Sequence, residues 1–378
     1  MIAASPPAQP PAPPVIERPA PYQVSYGIVE GRAASGMRRV IVRVDGAVVR
    51  DLPIAGRRFV VDVPLPSREV QLGVETVGEN GRRSGATVAH VFGLPRAARP
   101  HLLTPRLDTK LQAEVQRLAA GFPATSAVYV ESLTTGAASA KNARATFPAA
   151  STLKLAIALT ALSHTQGPPP PGSSLDGLLR RLLDASDNEA ANTLLTSLGG
   201  STSSGGHVVD DLMRSIGLER TVMYGGYILG TELGGSREVA GRGVPLNVVD
   251  QPYWGVGKAT TALDLAMLHR SIWLASGGLG RLGGSRSEVT PAEARYLLYV
   301  LARTGDARKL GRFVRRQGAT VLHKAGWIDA ARHDAGLVVW QGGIFVAAVM
   351  TYRPDGAGVR SDVLAGRVAQ AALRCFRG

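Results

Sequence analysis

The sequence predicts an α+β domain, an antiparallel sheet flanked by helices with an all-helical lobe inserted, preceded by a small all-β sandwich. Three observations carry this. Residues 22 to 94 hold only short alternating strand patterns, with no helical stretch between them. From about residue 109 to 304 helical spacing dominates, apart from one early pair of strands. Residues 320 to 352 then return to strands before a closing helix.

The first twenty residues are rich in Pro and Ala, with neither a cationic start nor an apolar core. They read as a flexible segment and not as an intact signal peptide. Such a segment often follows a removed export signal, and we expect one to have been trimmed here. Residues 21–95 read as an Ig-like β-sandwich. "RRVIVRVDGAVV" alternates around a hairpin signal at Asp45-Gly46, and Asn80-Gly81 marks a second turn. No cluster of His, Cys or paired carboxylates lies there, so a spacer or wall-facing adhesion role is expected. Residues 96–105, within "LPRAARPHLLTP", read as a linker.

The remaining domain, 106–378, opens with a helix over "LDTKLQAEVQRLAAGF" and two strands around Thr134-Thr135-Gly136. "TVLHKAGWID", "DAGLVVWQGG" and "IFVAAVMTY" are the late strands, and "SDVLAGRVAQAALRCF" the final helix. Strands at both ends with helices between imply one sheet built from distant segments.

Length and composition narrow the function classes. A chain of 378 residues fits two domains, and 45% apolar residues allow a sizeable core. The net charge of +14 comes mainly from scattered arginine, without a basic block interleaved with aromatics, so specific nucleic-acid binding is not expected. No apolar run reaches the roughly 20 residues of a membrane span. Cys375 is the single cysteine, so no intramolecular disulfide can form. The histidines are dispersed, and the Gly-rich stretch from 225 to 243 lacks a phosphate-loop lysine. Neither metal nor cofactor is expected.

Three short patterns carry chemistry. In "FPAASTLKLAIALTAL", Ser151 and Lys154 stand three apart on a helix that is apolar nearly all round. Burial drives a lysine to release its proton, and a neutral amine beside a hydroxyl can take the hydroxyl proton. The helix start also favours a developing anion. In "DASDNEAAN", Ser186 and Asn188 sit at a break between two helices, where a hydroxyl and an amide can face a cleft. In "HKAGWID", Lys324 lies on a strand followed by Ala325, Gly326 and Trp327. A small pair there lets a substrate backbone approach, with the Trp327 and Ser151 N–H groups as oxyanion donors.

In this order the three patterns resemble the S-x-x-K, S-D-N and K-T-G signature of class A β-lactamases and penicillin-binding proteins. The resemblance covers residues 106 to 378 and includes "ATTALDLAML" ahead of the third motif. It implies the β-lactamase/transpeptidase-like fold, with Ser151 as the acylated nucleophile and Lys154 as its proton partner. Ser186 would pass a proton to the leaving nitrogen, Asn188 would hold the substrate amide, and Lys324 would attract the substrate carboxylate. Asp187 and Asn192 would be structural.

Two departures bear on turnover. Ala325 replaces a hydroxyl that in this family helps bind the substrate carboxylate; Arg332 or His333, just beyond the turn, would compensate. The family's Glu-Leu-Asn loop pattern, which supplies the base for the deacylating water, is absent. Glu232 in "GTELGG" is the nearest candidate and Glu219 sits too early.

The resemblance therefore implies a serine hydrolase opening β-lactams through an acyl-Ser151 intermediate. A D-alanyl-D-alanine peptidase or penicillin-binding protein with slow deacylation is the alternative, since both substrates present an amide carbonyl near a carboxylate. A wall-binding or β-lactam-sensing module without turnover is the reading from a different class. Family substrates place the protein in the cell envelope or outside the cell. We expect a monomer whose N-terminal domain contacts cell wall.

Overall fold

The computed structural model describes residues 11–227, 257–283 and 289–377. The chain forms two compact units, residues 1–96 and 97–378.

In the first unit, strands β1 (Val15–Arg18), β3 (Ile28–Arg32) and β6 (Arg58–Asp62) make one sheet. Strands β2 (Gln23–Ser25), β4 (Met37–Val44), β5 (Ala47–Pro53), β7 (Glu69–Gly78) and β8 (Arg83–Gly93) make the other, in the order β2-β8-β7-β4-β5. Val29, Phe59 and Val61 from the small sheet share a core with Val40, Val42, Leu72 and Val74 from the large one. The β4–β5 hairpin turns at Asp45 and Gly46, at φ 49° and 85°, as a two-residue turn of this hand requires. The segment expected to be flexible over 1–20 includes β1, whose backbone pairs with β3.

In the second unit, residues 96–105 do more than link. Ala98 is fully buried, its carbonyl accepts from the Trp273 indole at 2.8 Å, and the Leu103 carbonyl accepts from Arg270 at 2.8 Å. Next come β9 (Arg106–Leu107), α1 (Thr109–Ala120, capped by Asp108), β10 (Thr125–Ser132), β11 (Ala137–Lys141) and β12 (Thr146–Pro148). A short 3-10 turn, Ala150–Leu153, leads into α2 (Lys154–Ser163). Helices α3 (Ser174–Leu183), α4 (Asn188–Gly199) and α5 (Thr202–Ser215) form the lobe. They are followed by β13 (Ala259–Thr261), α6 (Ala262–Ser276), α7 (Gly280–Gly283), α8 (Pro291–Ala302) and α9 (Gly311–Val314). The chain closes with β14 (Thr320–Ile328), β15 (Ala331–Trp340), β16 (Gly343–Tyr352) and α10 (Gly358–Arg377).

The main sheet runs β14-β15-β16-β10-β11-β9. Thus β16 pairs antiparallel with β10, Thr125 opposite Tyr352 and Ser132 opposite Phe345, and the helical lobe is the insertion between them. Only β9 runs parallel to its neighbour. Strands β15 and β16 are buried at nearly every position, which is why they read as near-continuous apolar runs. One sheet face, with Val128, Val130, Val321, Val338 and Phe345, packs on α1 and α10. The other face meets α6, α8 and the 3-10 turn.

Candidate active site

Ser151 lies on the 3-10 turn, not on the helix proper, and Lys154 is the first residue of α2. The Lys154 backbone N–H donates to the Ser151 carbonyl, so the pair still shares one side of the chain. Ala150, just before the serine, is held at φ 49°, a left-handed conformation costly for a residue with a Cβ. Helix α2 is buried from Lys154 to Leu162.

Behind the turn, strand β14 comes unusually close. A Cβ on Gly326 would lie 2.7 Å from the Thr152 nitrogen and 2.8 Å from the Ser151 nitrogen. Only glycine permits this approach. Across the strand pair, His333 stands opposite Gly326. Its Nδ1 accepts from the Thr351 N–H at 3.3 Å, which leaves the proton on Nε2 to donate to the Pro148 carbonyl at 2.7 Å. Burial pushes this imidazole down to about 4, so it is a neutral strut beneath the nucleophile turn.

The three sequence patterns converge on the Ser186 hydroxyl. Lys324 Nζ donates to Ser186 Oγ at 2.9 Å and Lys154 Nζ at 3.4 Å. Lys154 also donates to the Ser186 carbonyl and, at 2.6 Å, to Asn188 Oδ1. Ser186 itself adopts φ 56°, which turns both its oxygens toward the lysines. Asp187 caps α4 through the Ala190 N–H at 3.2 Å and accepts from Arg181 at 2.7 Å; its role is structural.

Both amines are almost completely buried, Lys154 at 0% and Lys324 at 4% exposure. Burial, reinforced by the Lys324 charge, pulls Lys154 down to about 7. Burial pulls Lys324 down to about 8, with the nearby Asp334 charge opposing. At neutral pH the site therefore holds an amine that can accept a proton beside one that mostly keeps its charge.

Two residues that sequence reasoning passed over complete the cluster. The Tyr227 ring lies between two ammonium groups, with Lys154 Nζ at 4.6 Å and Lys258 Nζ at 4.5 Å from its centroid. Its hydroxyl donates to the Ala150 carbonyl at 3.2 Å. Asn192 fixes the Tyr227 backbone from both sides, accepting from its N–H at 2.6 Å and donating to its carbonyl at 2.7 Å. Burial raises the Tyr227 phenol well above its ordinary value and pulls Lys258 down to about 8. Lys258 donates to the carbonyls of Tyr224, at 2.7 Å, and Gly226. Among sequence signals only the scarcity of lysine, six in the chain, pointed toward Lys258.

The compensation expected at Ala325 fails on strand parity. Arg332 stands opposite Trp327, one residue out of phase with His333, so it faces α10. There its guanidinium pairs with Asp362 at 2.9 Å and lies over the Trp327 ring. His333, the other candidate, is committed to Pro148. Across from Ala325 stands Asp334, whose carboxylate binds His323 at 2.7 Å and the Leu310 N–H at 3.0 Å. Glu232 lies outside the described residues. Glu219 is exposed at the surface.

A model of the β-lactamase enzyme family matches residues 110–168 and 164–376. The chain belongs to that family. Among solved structures, PBP-A shares 24% identity over 73% of this chain and 99% of its own, with a TM-score of 0.55. A mutant of PBP-A solved as an acyl-enzyme complex with penicillin G gives a TM-score of 0.54 at the same identity and coverage. A class A β-lactamase from Mycobacterium abscessus shares 19% identity over 71% of this chain and all of its own, with a TM-score of 0.52. These likenesses give the second unit the fold of β-lactamases. No curated protein matches the chain. Among the described residues, no three His, Cys, Asp or Glu side chains are grouped to hold a metal, and no helix is long and apolar enough to cross a membrane.

Proposed function

We propose that this β-lactamase-family serine hydrolase is acylated by β-lactams at Ser151 and clears the acyl group slowly, as a penicillin-binding protein does. The Ser186 hydroxyl, held between two buried lysines of lowered pKa, carries this reading.

In the proposed cycle, Ser151 Oγ attacks the lactam carbonyl and its proton passes to the neutral Lys154 amine. The oxyanion is met by the N–H groups of Ser151 and Trp327, which the Gly326 contact brings near one another. The carbon–nitrogen bond then breaks. The leaving nitrogen takes the Ser186 hydroxyl proton while Ser186 recovers one from Lys154. Lys324 holds the Ser186 oxygen and supplies positive potential toward a substrate carboxylate, while Arg332 faces away. Asn188, bound to Lys154 through Oδ1, presents its amide to the substrate.

Clearing the acyl group needs a base for water. Tyr227 flanks Lys154 with a phenol that burial keeps protonated and that already donates to Ala150. It cannot serve as that base. The Glu-Leu-Asn pattern that supplies this base in the family is absent from the sequence, which favours slow turnover over rapid β-lactam hydrolysis. The PBP-A acyl-enzyme on the same fold is consistent with this reading. A monomer acting outside the cell or in its envelope, with an Ig-like domain against cell wall, is part of the same proposal.

The test is intact mass over time after mixing with benzylpenicillin, with Ser151→Ala alongside. The expected result is a penicilloyl adduct that persists on the wild type and never forms on the variant. Rapid loss with product accumulation makes the protein a β-lactamase; no adduct on either protein ends the mechanistic reading.

A further inference from the structure

On the sheet face away from Ser151, α1 and α10 pack side by side. Their solvent side carries Lys110, Arg117, Arg360, Arg367, Arg374 and Arg377, all exposed. Arg360, Arg367 and Arg374 recur every seven residues, so they line one face of α10. The two helices hold only two carboxylates, and both are spent. Glu114 is bound to Arg117 by bonds of 2.6 and 2.8 Å, and the buried Asp362 is bound to Arg332 at 2.9 Å.

Between the helices lies a cavity of about 420 Å³, with Arg117, Arg360 and Arg367 at its rim. Its floor is apolar, built from Leu118, Phe122, Pro123 and Val363. Val359 stands at its edge, 60% exposed. Guanidinium groups around an apolar hollow complement an anionic head group carrying hydrocarbon. A water-soluble polyanion would use the arginines and leave the hollow and Val359 unsatisfied.

We propose that the α1–α10 face docks on membrane surfaces containing anionic phospholipid. The charges supply attraction, and the hollow with Val359 accepts the glycerol and first methylenes of a lipid. Adjacent strand residues fix the orientation of the catalytic unit that results. Arg332 reaches α10 while its neighbour His333 reaches Pro148 at the nucleophile turn, so a docked protein turns Ser151 away from the bilayer.

The test is sedimentation with vesicles at about 0.15 M salt, where screening limits nonspecific attraction. The wild type should partition onto phosphatidylcholine vesicles containing phosphatidylglycerol and not onto phosphatidylcholine alone. The pair Arg360→Gln and Arg367→Gln should lower the partition coefficient roughly 25-fold, about fivefold per charge. Val359→Asp should lower it without touching an arginine. A pair of equal charge elsewhere, Arg58→Gln and Arg144→Gln, should cost no more than a few-fold. Far-UV circular dichroism spectra and urea unfolding midpoints that match the wild type exclude misfolding of the variants. The proposal fails if the wild type ignores anionic vesicles or if both pairs lose alike. It also fails if soluble polyphosphate is bound in their place.

Discussion

Replacing Lys154 with methionine should stabilise the fold at acid pH while abolishing acylation. The amine is pulled from 10.5 to about 7 by burial and by the Lys324 charge. The unfolded chain therefore binds that proton more tightly than the native one does, and stability rises with pH between about 7 and 10.5. Below pH 7 the penalty is complete. With 1.36 kcal/mol per pKa unit, the lysine costs roughly 5 kcal/mol at pH 6 and roughly 2 kcal/mol at pH 9. Methionine has a similar shape and no charge. It leaves Asn188 Oδ1 and the Ser186 carbonyl without their donor, a loss of about 1–3 kcal/mol at every pH. That loss moves the whole curve and leaves its slope alone. The measurement is urea unfolding at pH 6 and pH 9. All four tryptophans, at 254, 273, 327 and 340, lie in the second unit, so their fluorescence follows that unit by itself. Between the two pH values the wild type should gain about 2–3 kcal/mol more than Lys154→Met. Parallel curves would mean that the buried amine is not neutralised by its surroundings, and the proposed base would go with it.

Three further outcomes follow from the same geometry. The acylation rate should rise with pH through about 7 as Lys154 loses its proton, then fall above about 8 as Lys324 loses its own; stopped-flow acylation that is flat from pH 6 to 9 contradicts both assignments. Gly326→Ala forces a methyl group into the Ser151 and Thr152 nitrogens, and a displacement of this kind should slow acylation on the order of 100-fold while the fluorescence spectrum stays native. Arg332→Ala, whose partner is Asp362 on the far side of the sheet, should leave acylation by penicillin within about twofold of wild type and, because it leaves the buried Asp362 unpaired, cost on the order of 1–3 kcal/mol of stability. A large loss of efficiency on anionic substrates alone would return Arg332 to the cleft.

The parts of this site legible in the sequence are those whose geometry is local. Ser151 and Lys154 are one turn apart whichever helical form the turn takes. Asp187 caps α4 because Asp is a strong N-cap, and Asp45-Gly46 turns a hairpin because both residues tolerate positive φ. The convergence of Ser186 and Lys324 on one hydroxyl was readable only through a family signature, since no short-range rule brings them together. Arg332 shows the limit of position without register. It sits a few residues from Lys324 along the chain, yet alternation across the β14–β15 pair sends it to the opposite face. Tyr227 and Lys258 were invisible for another reason: ring-to-ammonium contacts leave no spacing pattern, and the Asn192 bonds that fix Tyr227 span 35 residues.

The pairing of β16 with β10 has a consequence for how the protein comes into being. Ser151 leaves the ribosome early, but its oxyanion strand, the Lys324 amine and the His333 strut are made more than 170 residues later. Pairings this distant in sequence close slowly. Through most of synthesis the chain carries Ser151 and Lys154 without the β14 N–H group and the Lys324 amine that the proposed cycle needs, and on that cycle reactivity switches on only when the last strands join the sheet. On the proposed mechanism a truncated or stalled product should be inert toward acyl donors, so that covalent labelling at Ser151 would count finished molecules and no others.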